Sequence, residues 1–478
     1  MSKVKIILSV LGIVLIIGIG VVYQSWQSGN LQKAIVQSVA QKISPNDLGN
    51  SLWTDALGFN GVRTYLLLFL NNTEMRPGGG FIGVYALLQL DKGTPHLLKV
   101  EGTEGFDKSA KTDFEATPPA PLTKYLKVSR WYFRDSNWSP DFALSSEKSM
   151  ELFLKQGNTS NVQKIDGVIG FTPTVMEELL KISGPIKIDN QEFNAQNFTE
   201  KLEYEVEYGY AQKGVEFKDR KAIIGAMATS LLSQLKFSII KDWPKYYGVA
   251  QKMLAQKQIV IYATNENEES FLAARGYGGT MKKTDSDYLL WADANLGALK
   301  TDAAIVRELS YEITPTGTGK FLATAKMKFT HTGHFDWRTS RYRDYVRIFV
   351  PTGSQLQSAS GQMDIEKSKV VGKVDSGIEN GRQWFGAFIA IEPGKTGELS
   401  LNYYLPDNIA NSIKNSQYNL SVQKQIGTGA TKLTLGLNFG KNLVAAWPGE
   451  GVAKHGDSRY DLVTDLLEDR DFKVQLAN

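Results

Sequence analysis

The chain has 478 residues, 42% of them hydrophobic, which is enough for two domains of ordinary size with apolar cores of their own. Its formal net charge of +4 is small and evenly spread, so the composition argues against a nucleic-acid-binding protein. The sequence has no cysteine, which excludes disulfides, zinc–thiolate sites and a cysteine nucleophile.

The amino terminus has the plan of a membrane anchor. An apolar and glycine run of about 17 residues, 6–22, follows Lys3 and Lys5, and its length is near the lower limit for spanning the hydrocarbon core. A cleaved signal peptide has the same pattern of charge and apolar residues, but the segment at the end of the run, GVVYQSWQSG, has no clear small-x-small cleavage site. By the positive-inside rule, we expect a single-pass cell-membrane protein with a cytoplasmic amino terminus and the bulk of the chain extracytoplasmic.

The predicted organisation therefore begins with a cytoplasmic tail and transmembrane anchor over 1–28. After the anchor, Leu31, Ile35 and Val39 recur at helical spacing until a Ser-Pro-Asn-Asp sequence ends the pattern. This spacing predicts a helical stalk over 29–50, which would lift the remaining chain off the membrane.

A central sheet is predicted next. The apolar run 65–70 is typical of a strand buried on both faces, and it leads into a polar loop, 71–76, and a glycine run, 78–80. Two further strands, 81–90 and 97–100, are separated by an Asp-Lys-Gly hairpin signal. Ligand sites in such sheets commonly lie at polar loops that follow strands. The candidate ligand-binding residues of this loop are Asn72, Glu74, Arg76, Gly78 and Gly79.

Each polar segment also has a purely structural interpretation. A salt bridge between Glu74 and Arg76 would hold the first loop, and its glycines could serve only the close crossing of strands. A second segment, 130–142, reads RWYFRDSNWSPDF. It could contact a phosphate or a sugar, or it could be a buried aromatic loop whose charges pair with each other. Its candidate residues are Arg134, Asp135 and Asn137.

The strand and helix that follow predict an α/β domain over 51–303. The buried strand 165–171 precedes a helix with a Thr-Pro start and a Gly-Pro stop, and a strand with a capped helix is a β-α unit. Helices are predicted at 194–212 and 219–237. A further strand, 257–263, follows, and 288–300 closes the domain.

Two cations open the second of these helices. Arg220 and Lys221 lie in its predicted first turn, where the helix dipole disfavours positive charge. A bound anion would reverse this effect, so both residues are candidate ligands for a phosphate.

Strand-like runs with turn signals between them dominate from Ile305 onward. Seven short strands with little helix predict an all-β sandwich over 304–478. The predicted strands are 309–313, 321–329, 345–350, 384–391, 399–404, 418–423 and 433–439. His331 and His334 lack a cluster of further ligands, so we interpret them as turn residues and predict no metal site.

Several stretches resemble a bacterial family known as domain of unknown function 4012. They are YLLLFLNNTEMRPGGGFIGVYALL, RDSNWSPDF, IDGVIGFTPTVMEELLKISGPI, DANLGALKTDAAIVREL and YVRIFVPTGSQL. The family has no established activity, so this resemblance implies an order of elements and no chemistry.

The order of elements is also similar to that of the LytR-CpsA-Psr family, membrane-anchored enzymes that move glycopolymers from a polyprenyl pyrophosphate carrier onto the cell wall. The resemblance implies a mixed sheet with flanking helices, behind one transmembrane helix. It also implies that Arg76, Arg134, Arg220 and Lys221 would hold the pyrophosphate.

Three departures from that family are visible. The glycine run replaces a magnesium-binding aspartate, and EYEVEYGY lacks the paired arginines expected before the basic helix. VEGTEGFD replaces a proline-arginine-aspartate sequence, which leaves Glu101, Glu104 and Asp107 as substitutes. The charges that pyrophosphate chemistry needs are therefore reduced, and the resemblance implies a fold more than an activity.

Two hypotheses of function follow. The first is a non-catalytic, membrane-anchored envelope protein that binds a glycan, a lipid head group or a surface partner. The alternative is a transferase acting on a polyprenyl-pyrophosphate-linked glycopolymer, in which Glu74 or Asp107 would help to hold Mg²⁺; otherwise no cofactor is expected. The transferase hypothesis requires that Arg76, Arg134 and Arg220 converge on one pocket and that they are not fully paired with carboxylates of the protein.

Overall fold

The computed structural model describes residues 52, 54–157, 162–217, 220–368, 370–451 and 456–478. Within these ranges the chain is a mixed α/β protein with several sheets. The predicted anchor and stalk, 1–28 and 29–50, lie outside the described residues. None of the helices described combines the length and the apolarity needed to cross a bilayer.

The amino-terminal part, which we call the α/β unit, is built on a mixed sheet with the strand order β3-β2-β1-β4-β7. Strands β1 and β4 are parallel and the other pairs are antiparallel. The strands are β1 (Arg63–Asn71), β2 (Phe81–Asp91), β3 (Thr94–Gly102), β4 (Gly167–Phe171) and β7 (Ile259–Ala263), with a separate hairpin of β5 (Ile186–Ile188) and β6 (Gln191–Phe193). The predicted β2–β3 hairpin is confirmed, with Lys92 and Gly93 at positive φ in its turn.

Helices flank this sheet. They are α1 (Thr103–Lys108), α2 (Phe142–Gly157), α3 (Pro173–Ser183), α4 (Phe198–Tyr204), α5 (Ala222–Ala255) and α6 (Glu266–Ala273). A π-helical turn, Glu205–Gly209, and a short helical turn, Tyr210–Gln212, continue α4. Leu122–Leu126 is also π-helical, and Phe133–Asp135 is a 3₁₀ turn.

The helix boundaries follow from proline and glycine chemistry. Helix α3 begins at Pro173 and ends before Gly184, which has φ +82°, as the sequence predicts. Helix α5 runs well beyond the predicted end at 237. It bends instead of stopping, because Asp242 leaves helical geometry just before Pro244, whose ring clashes with the preceding turn.

The carboxyl-terminal part, which we call the two-sheet unit, has the strand orders β12-β15-β10-β9-β17-β19 and β13-β14-β11-β8-β16-β20-β18. It also contains the 3₁₀ turn Thr301–Ala304 and helix α7 (Asp407–Lys414). The strands are β8 (Asp287–Ala292), β9 (Ile305–Pro315), β10 (Phe321–His331), β11 (Tyr342–Pro351), β12 (Gln355–Ser360), β13 (Asp375–Glu379), β14 (Arg382–Ile391), β15 (Thr396–Tyr404), β16 (Gln417–Gln423), β17 (Lys432–Asn438), β18 (Leu443–Trp447), β19 (Arg459–Asp465) and β20 (Arg470–Leu476).

Side chains from both sheets share one core. Met327 and Leu401 of the first sheet lie in the same cluster as Val346 and Phe385 of the second. Every second residue of β10 is buried, as expected for a sheet with one covered face. All seven strands predicted after residue 304 are present.

Strand β8 is a correction to the predicted organisation. The sequence assigns 288–300 to the α/β domain, but β8 pairs with β11 and β16 inside the two-sheet unit. All six of its residues are buried, so it requires cover on both faces. Leu289 and Trp291 enter the shared core, while Tyr288 and Leu290 pack with Phe349 on the opposite side.

The two units are packed directly against each other. The segment Lys424–Thr428, here called the inserted loop, leaves β16 and enters the α/β unit. There the Gly427 N–H donates to Lys257 O at 3.0 Å, and Gln258 Nε2 donates to Thr428 O at 2.8 Å. The Ile426 side chain is buried in the α/β core. This loop brings the two-sheet unit to the edge of the α/β sheet where β1 and β4 end.

Candidate functional site at the junction of the two units

A cleft of about 300 Å³ lies beside the carboxyl ends of β1 and β4. Because these two strands are parallel, the residues that follow them meet at one sheet edge, the usual position of ligands in such sheets. Asn72 and Thr73 follow β1, and Thr174 opens α3 after β4. The opposite wall comes from the two-sheet unit and includes Arg338 and Thr428.

Hydroxyl groups are the most frequent polar groups in the lining of the cleft, where five threonines and Asn72 accompany four charged residues. Asn72 Nδ2 donates to Thr174 Oγ1 at 3.2 Å and to Gly427 O at 3.0 Å, which ties the two walls together. Thr199 donates to Glu177 on the floor of the same cleft. The lining therefore offers many neutral hydrogen-bonding groups, which suits a polyhydroxylated ligand.

Two arginines line the cleft, and their partners differ. Arg307 is held by Asp293 at 2.6 Å and by Asp302 at 2.5 Å, and both carboxylates are buried. Arg338 pairs through Nε with Glu203 at 2.7 Å and only distantly, at 3.8 Å, with Glu200. Burial raises the pKa of the Glu203 carboxyl, and Arg338 opposes this rise. Arg307 is thus held by two buried carboxylates, whereas Arg338 has one close and one distant carboxylate partner.

Three aromatic rings, here called the aromatic triad, lie beside the cleft and join the two units. Trp337 contacts Tyr204 with ring centroids 5.5 Å apart and Tyr208 with centroids 5.7 Å apart, both edge to face. Tyr204 is 37% exposed and Tyr208 46% exposed. Trp337 immediately precedes Arg338 of the cleft wall, and Tyr204 immediately follows Glu203, the close partner of Arg338, so the triad adjoins the cleft.

Arg76, the central residue of the predicted site, is buried, and its guanidinium is paired with groups of the protein itself. It is 2% exposed, its Nε donates to Asp135 at 3.0 Å, and its Nη1 donates to Asn295 O at 2.6 Å. Its Nη2 pairs with Glu74 at 3.4 Å, as the structural interpretation of this loop predicts. Burial raises the pKa of the Glu74 carboxyl, and Arg76 opposes the rise. Arg76 therefore fastens the loop and the two-sheet unit together.

The glycine run serves close packing. The Gly78 N–H donates to Asn137 O at 3.0 Å, and a Cβ on Gly79 would lie 2.7 Å from Ile426 Cγ2 of the inserted loop. Gly427 faces this run, and a Cβ there would lie 2.2 Å from Gly79 O. The buried Asn137 donates through Nδ2 to Gly80 O at 2.7 Å. Gly78, Gly79 and Asn137 shape the junction and do not line the cleft, whereas Gly427 takes part in both.

The second polar segment pairs its own charges. Asp135 lies between Arg76, at 3.0 Å, and Arg134, at 3.9 Å. Arg134 also approaches Asp107 at 3.3 Å, and Gln156 donates to the same carboxyl at 2.9 Å. Burial raises the pKa of Asp107 to about 7. The arrangement corresponds to the buried, internally paired loop that was one of the two interpretations.

The two cations before helix α5, Arg220 and Lys221, also have partners within the protein. Arg220 contacts Glu104 at 2.6 Å and Glu207 at 3.4 Å and stacks over Phe217 at 4.0 Å. Lys221 donates through Nζ to Gly83 O at 2.7 Å, and burial lowers its pKa to about 8. The three arginines thus have carboxylate partners, and none of them lines the cleft described above.

The remaining candidates also have structural partners. Glu101 accepts from Tyr85 at 2.5 Å and pairs with Lys99 at 2.8 Å. The buried His331 contacts Ser340 O at 2.8 Å, and His334 pairs with Asp336 at 3.2 Å. Across the part of the chain that the structure describes, no group of three or more His, Asp or Glu residues is placed to hold a metal ion.

Sequence reasoning located one residue of the cleft and missed most of its lining. Asn72 was a candidate, and the Thr-Pro signal marked the helix start that brings in Thr174. Thr199, Arg338 and the inserted loop come from segments far apart in the chain, and none of them has a local motif. The aromatic triad could have been suspected only from aromatic density in two unrelated segments.

Comparisons with known proteins give one family match, to part of the chain. A search of curated proteins finds no match for the chain. Among solved structures, a candidate nutrient binding protein from Legionella pneumophila aligns with TM-score 0.22 and 8% identity, over 39% of this chain and 70% of that protein. An M1 zinc metallopeptidase from Deinococcus radiodurans aligns with TM-score 0.15 and 9% identity, over 38% of this chain and 43% of the enzyme. Such TM-scores carry no inference about fold or function.

The family match covers the amino-terminal part of the chain. The stretches that contain Arg76, Asn137 and Thr172 lie within the matched residues, whereas the two resembling stretches after residue 290 lie outside them. Residues 60–207, about a third of the chain, match the profile described as Protein of unknown function (DUF4012).

Proposed function

We propose that the chain is a membrane-anchored, extracytoplasmic envelope protein that binds a glycan at the junction of its two units without chemical turnover. The observation that supports this most directly is the polar cleft of about 300 Å³ flanked by the aromatic triad. Sugar rings combine apolar faces with hydroxyl edges. Aromatic faces and neutral hydrogen-bonding groups side by side suit both parts of such a ligand.

The proposed location rests on the amino-terminal sequence. By the positive-inside rule, the lysines before the apolar run 6–22 favour an amino terminus in the cytoplasm, and the cleft would then face the envelope, where glycan polymers occur. The single-pass anchor would keep the protein at the membrane surface. The two-sheet unit, which we interpret as the expected β-sandwich, supplies one wall of the cleft.

We further propose that the α/β unit is related to the LytR-CpsA-Psr arrangement in its fold alone. Its mixed sheet with flanking helices supports that relation. The carboxylate partners of Arg76, Arg134 and Arg220 argue against the transferase alternative, because cations already neutralised in this way would have to be released before they could hold a pyrophosphate. The glycan-binding proposal needs no such rearrangement.

Calorimetry on the full chain, purified in detergent, tests this proposal. The probes are tetrasaccharides of N-acetylglucosamine and of glucose, with a short-chain polyprenyl pyrophosphate and Mg²⁺ as a third probe. We expect a tetrasaccharide to bind, and Trp337→Ala to weaken it roughly tenfold, as loss of a central aromatic contact typically does. Trp243→Ala, which removes a 44% exposed tryptophan from α5, is the matched control and should leave binding unchanged.

Two results would contradict the proposal. One is a folded full chain that binds neither tetrasaccharide, and the other is equal binding by Trp337→Ala and the parent chain. Binding of the pyrophosphate that requires Mg²⁺ and disappears in Arg220→Ala would favour the transferase alternative.

A further inference from the structure

The outer face of the two-sheet unit is open where β16, β20 and β18 lie side by side. Burial alternates strictly along β20: Phe472 and Val474 point into the shared core, while Lys473 and Gln475 are exposed. The neighbouring strand β8 differs, because Tyr288 and other side chains cover its outer face. Three adjacent strands at the end of this sheet therefore present a flat, uncovered surface.

The strand register aligns a specific set of side chains on this surface. Trp447 is opposite Lys473, which is opposite Asn419, and Gln475 is opposite Gln417 in the next row. Residues directly opposite each other on neighbouring strands project to the same face about 5 Å apart. We call this set the Trp447 face; it comprises Gln417, Asn419, Trp447, Lys473 and Gln475.

The indole is the dominant group of this face. Trp447 is 58% exposed, and with Pro448, Asp471 and Lys473 it forms a shallow depression. Asp471 is engaged by Lys282 and by the Ser421 hydroxyl at 2.6 Å, so its charge is compensated locally. Its exposed indole offers an apolar face that a ligand can cover, and the polar groups around it distinguish this site from an isolated exposed tryptophan.

Neutral amides surround the indole. Among the residues that the structure describes, the side-chain amides of Gln417, Asn419 and Gln475 have no hydrogen-bond partner in the protein. Each amide can donate and accept, and three of them in two rows can follow the hydroxyl groups of successive sugars. Lys473 adds one positive charge, which is too little to select an anionic polymer.

We infer that the Trp447 face is a second glycan-binding site, suited to the flat face of an extended, neutral polysaccharide. The surface is too polar and too poor in apolar side chains to resemble the core of a protein–protein interface, which needs several hundred square ångströms of apolar contact. One indole framed by amides matches a pyranose chain, whose rings are apolar above and hydroxylated at the edge. The Trp447 face shares no residue with the cleft, so it does not depend on the cleft being a binding site.

The test is a depletion assay in which the full chain, in detergent, is mixed with insoluble chitin or cellulose and the unbound protein is measured. Both probes present flat, neutral sugar faces. We expect the parent chain to be retained on at least one probe and Trp447→Ala to reduce its affinity roughly tenfold or more. Asn419→Ala should weaken retention to a smaller degree, and Trp243→Ala should have no effect.

The outcomes separate this site from the cleft. Retention lost in Trp447→Ala but kept in Trp337→Ala assigns the polymer to the Trp447 face. Retention lost only in Trp337→Ala overturns the second site and leaves the proposed function standing. Retention of neither probe by the folded parent chain, or equal retention of the parent chain and Trp447→Ala, also overturns it. Circular dichroism of each variant shows that it is folded.

Discussion

Removing the Arg76 guanidinium should unfold the junction of the two units. The side chain is 3% exposed, and it satisfies the Asp135 carboxylate at 3.0 Å and the Asn295 carbonyl at 2.6 Å. Deleting one member of a buried ion pair leaves an uncompensated charge and costs about 3–5 kcal/mol. Because whole domains are stable by only about 5–15 kcal/mol, Arg76→Ala should lose a substantial fraction of the original stability.

Urea unfolding of the full chain, followed by tryptophan fluorescence and circular dichroism, measures this loss as a fall in the transition midpoint. Arg134→Ala is the matched control, because that side chain is 30% exposed and its partner Asp107 can take up a proton, its pKa being raised to about 7 by burial. We expect a loss of about 1 kcal/mol or less for the control. If Arg76→Ala lost under about 1 kcal/mol, the inference that Arg76 is a structural fastener would be refuted.

Three further predictions concern the junction and the pH dependence of stability. Gly427→Ala should lower the free energy of unfolding by at least about 3 kcal/mol, because its Cβ would lie 2.2 Å from Gly79 O. The control Gly276→Ala, at a similar φ but with open space around it, should cost only about 1 kcal/mol. Equal losses for the two variants in urea unfolding would contradict this prediction. Ile426→Ala should cost about 2–5 kcal/mol, since the side chain is 1% exposed in the α/β core, and a thermal midpoint equal to that of the parent chain would contradict it. Burial raises the pKa of Glu269 to about 7 from 4.5, so its folded form keeps the proton to a higher pH than its unfolded form. The contribution of Glu269 to stability is full below about pH 4.5 and is lost as the pH rises through about 7. Glu269→Gln should therefore reduce the fall in the free energy of unfolding that urea titrations measure between pH 4 and 8. An unchanged pH profile would contradict this prediction.

Local sequence patterns were sufficient for most elements of secondary structure. Seven of the twelve strands described after residue 304 were predicted, several of them because a sheet with one buried face alternates apolar and polar side chains. The start and stop of α3 are visible because proline and glycine act within one helical turn. The extent of α5 was not visible, because a proline can bend a helix as well as end it, and packing decides which occurs.

The roles of individual charged residues depended on tertiary structure. Arg76 beside a glycine run has the same local pattern whether it binds a ligand or a buried aspartate, and only its contact with Asp135, 59 residues away, distinguishes the two. The same holds for Arg220, whose partner Glu104 lies 116 residues earlier in the chain. Both ion pairs form between residues that are distant in the sequence, and a short motif does not predict which distant segments come into contact.

By itself, the sequence determined the family resemblance of residues 60–207, the periodic elements and a candidate loop at the end of β1. Only the tertiary structure decided that β8 belongs to the two-sheet unit and that a cleft with an aromatic triad forms at the junction. The physical reason is the sequence separation between the residues that interact. Strand and helix patterns arise from neighbours within a few residues, whereas the junction is made by contacts such as Gln425 to Arg76, separated by 349 residues.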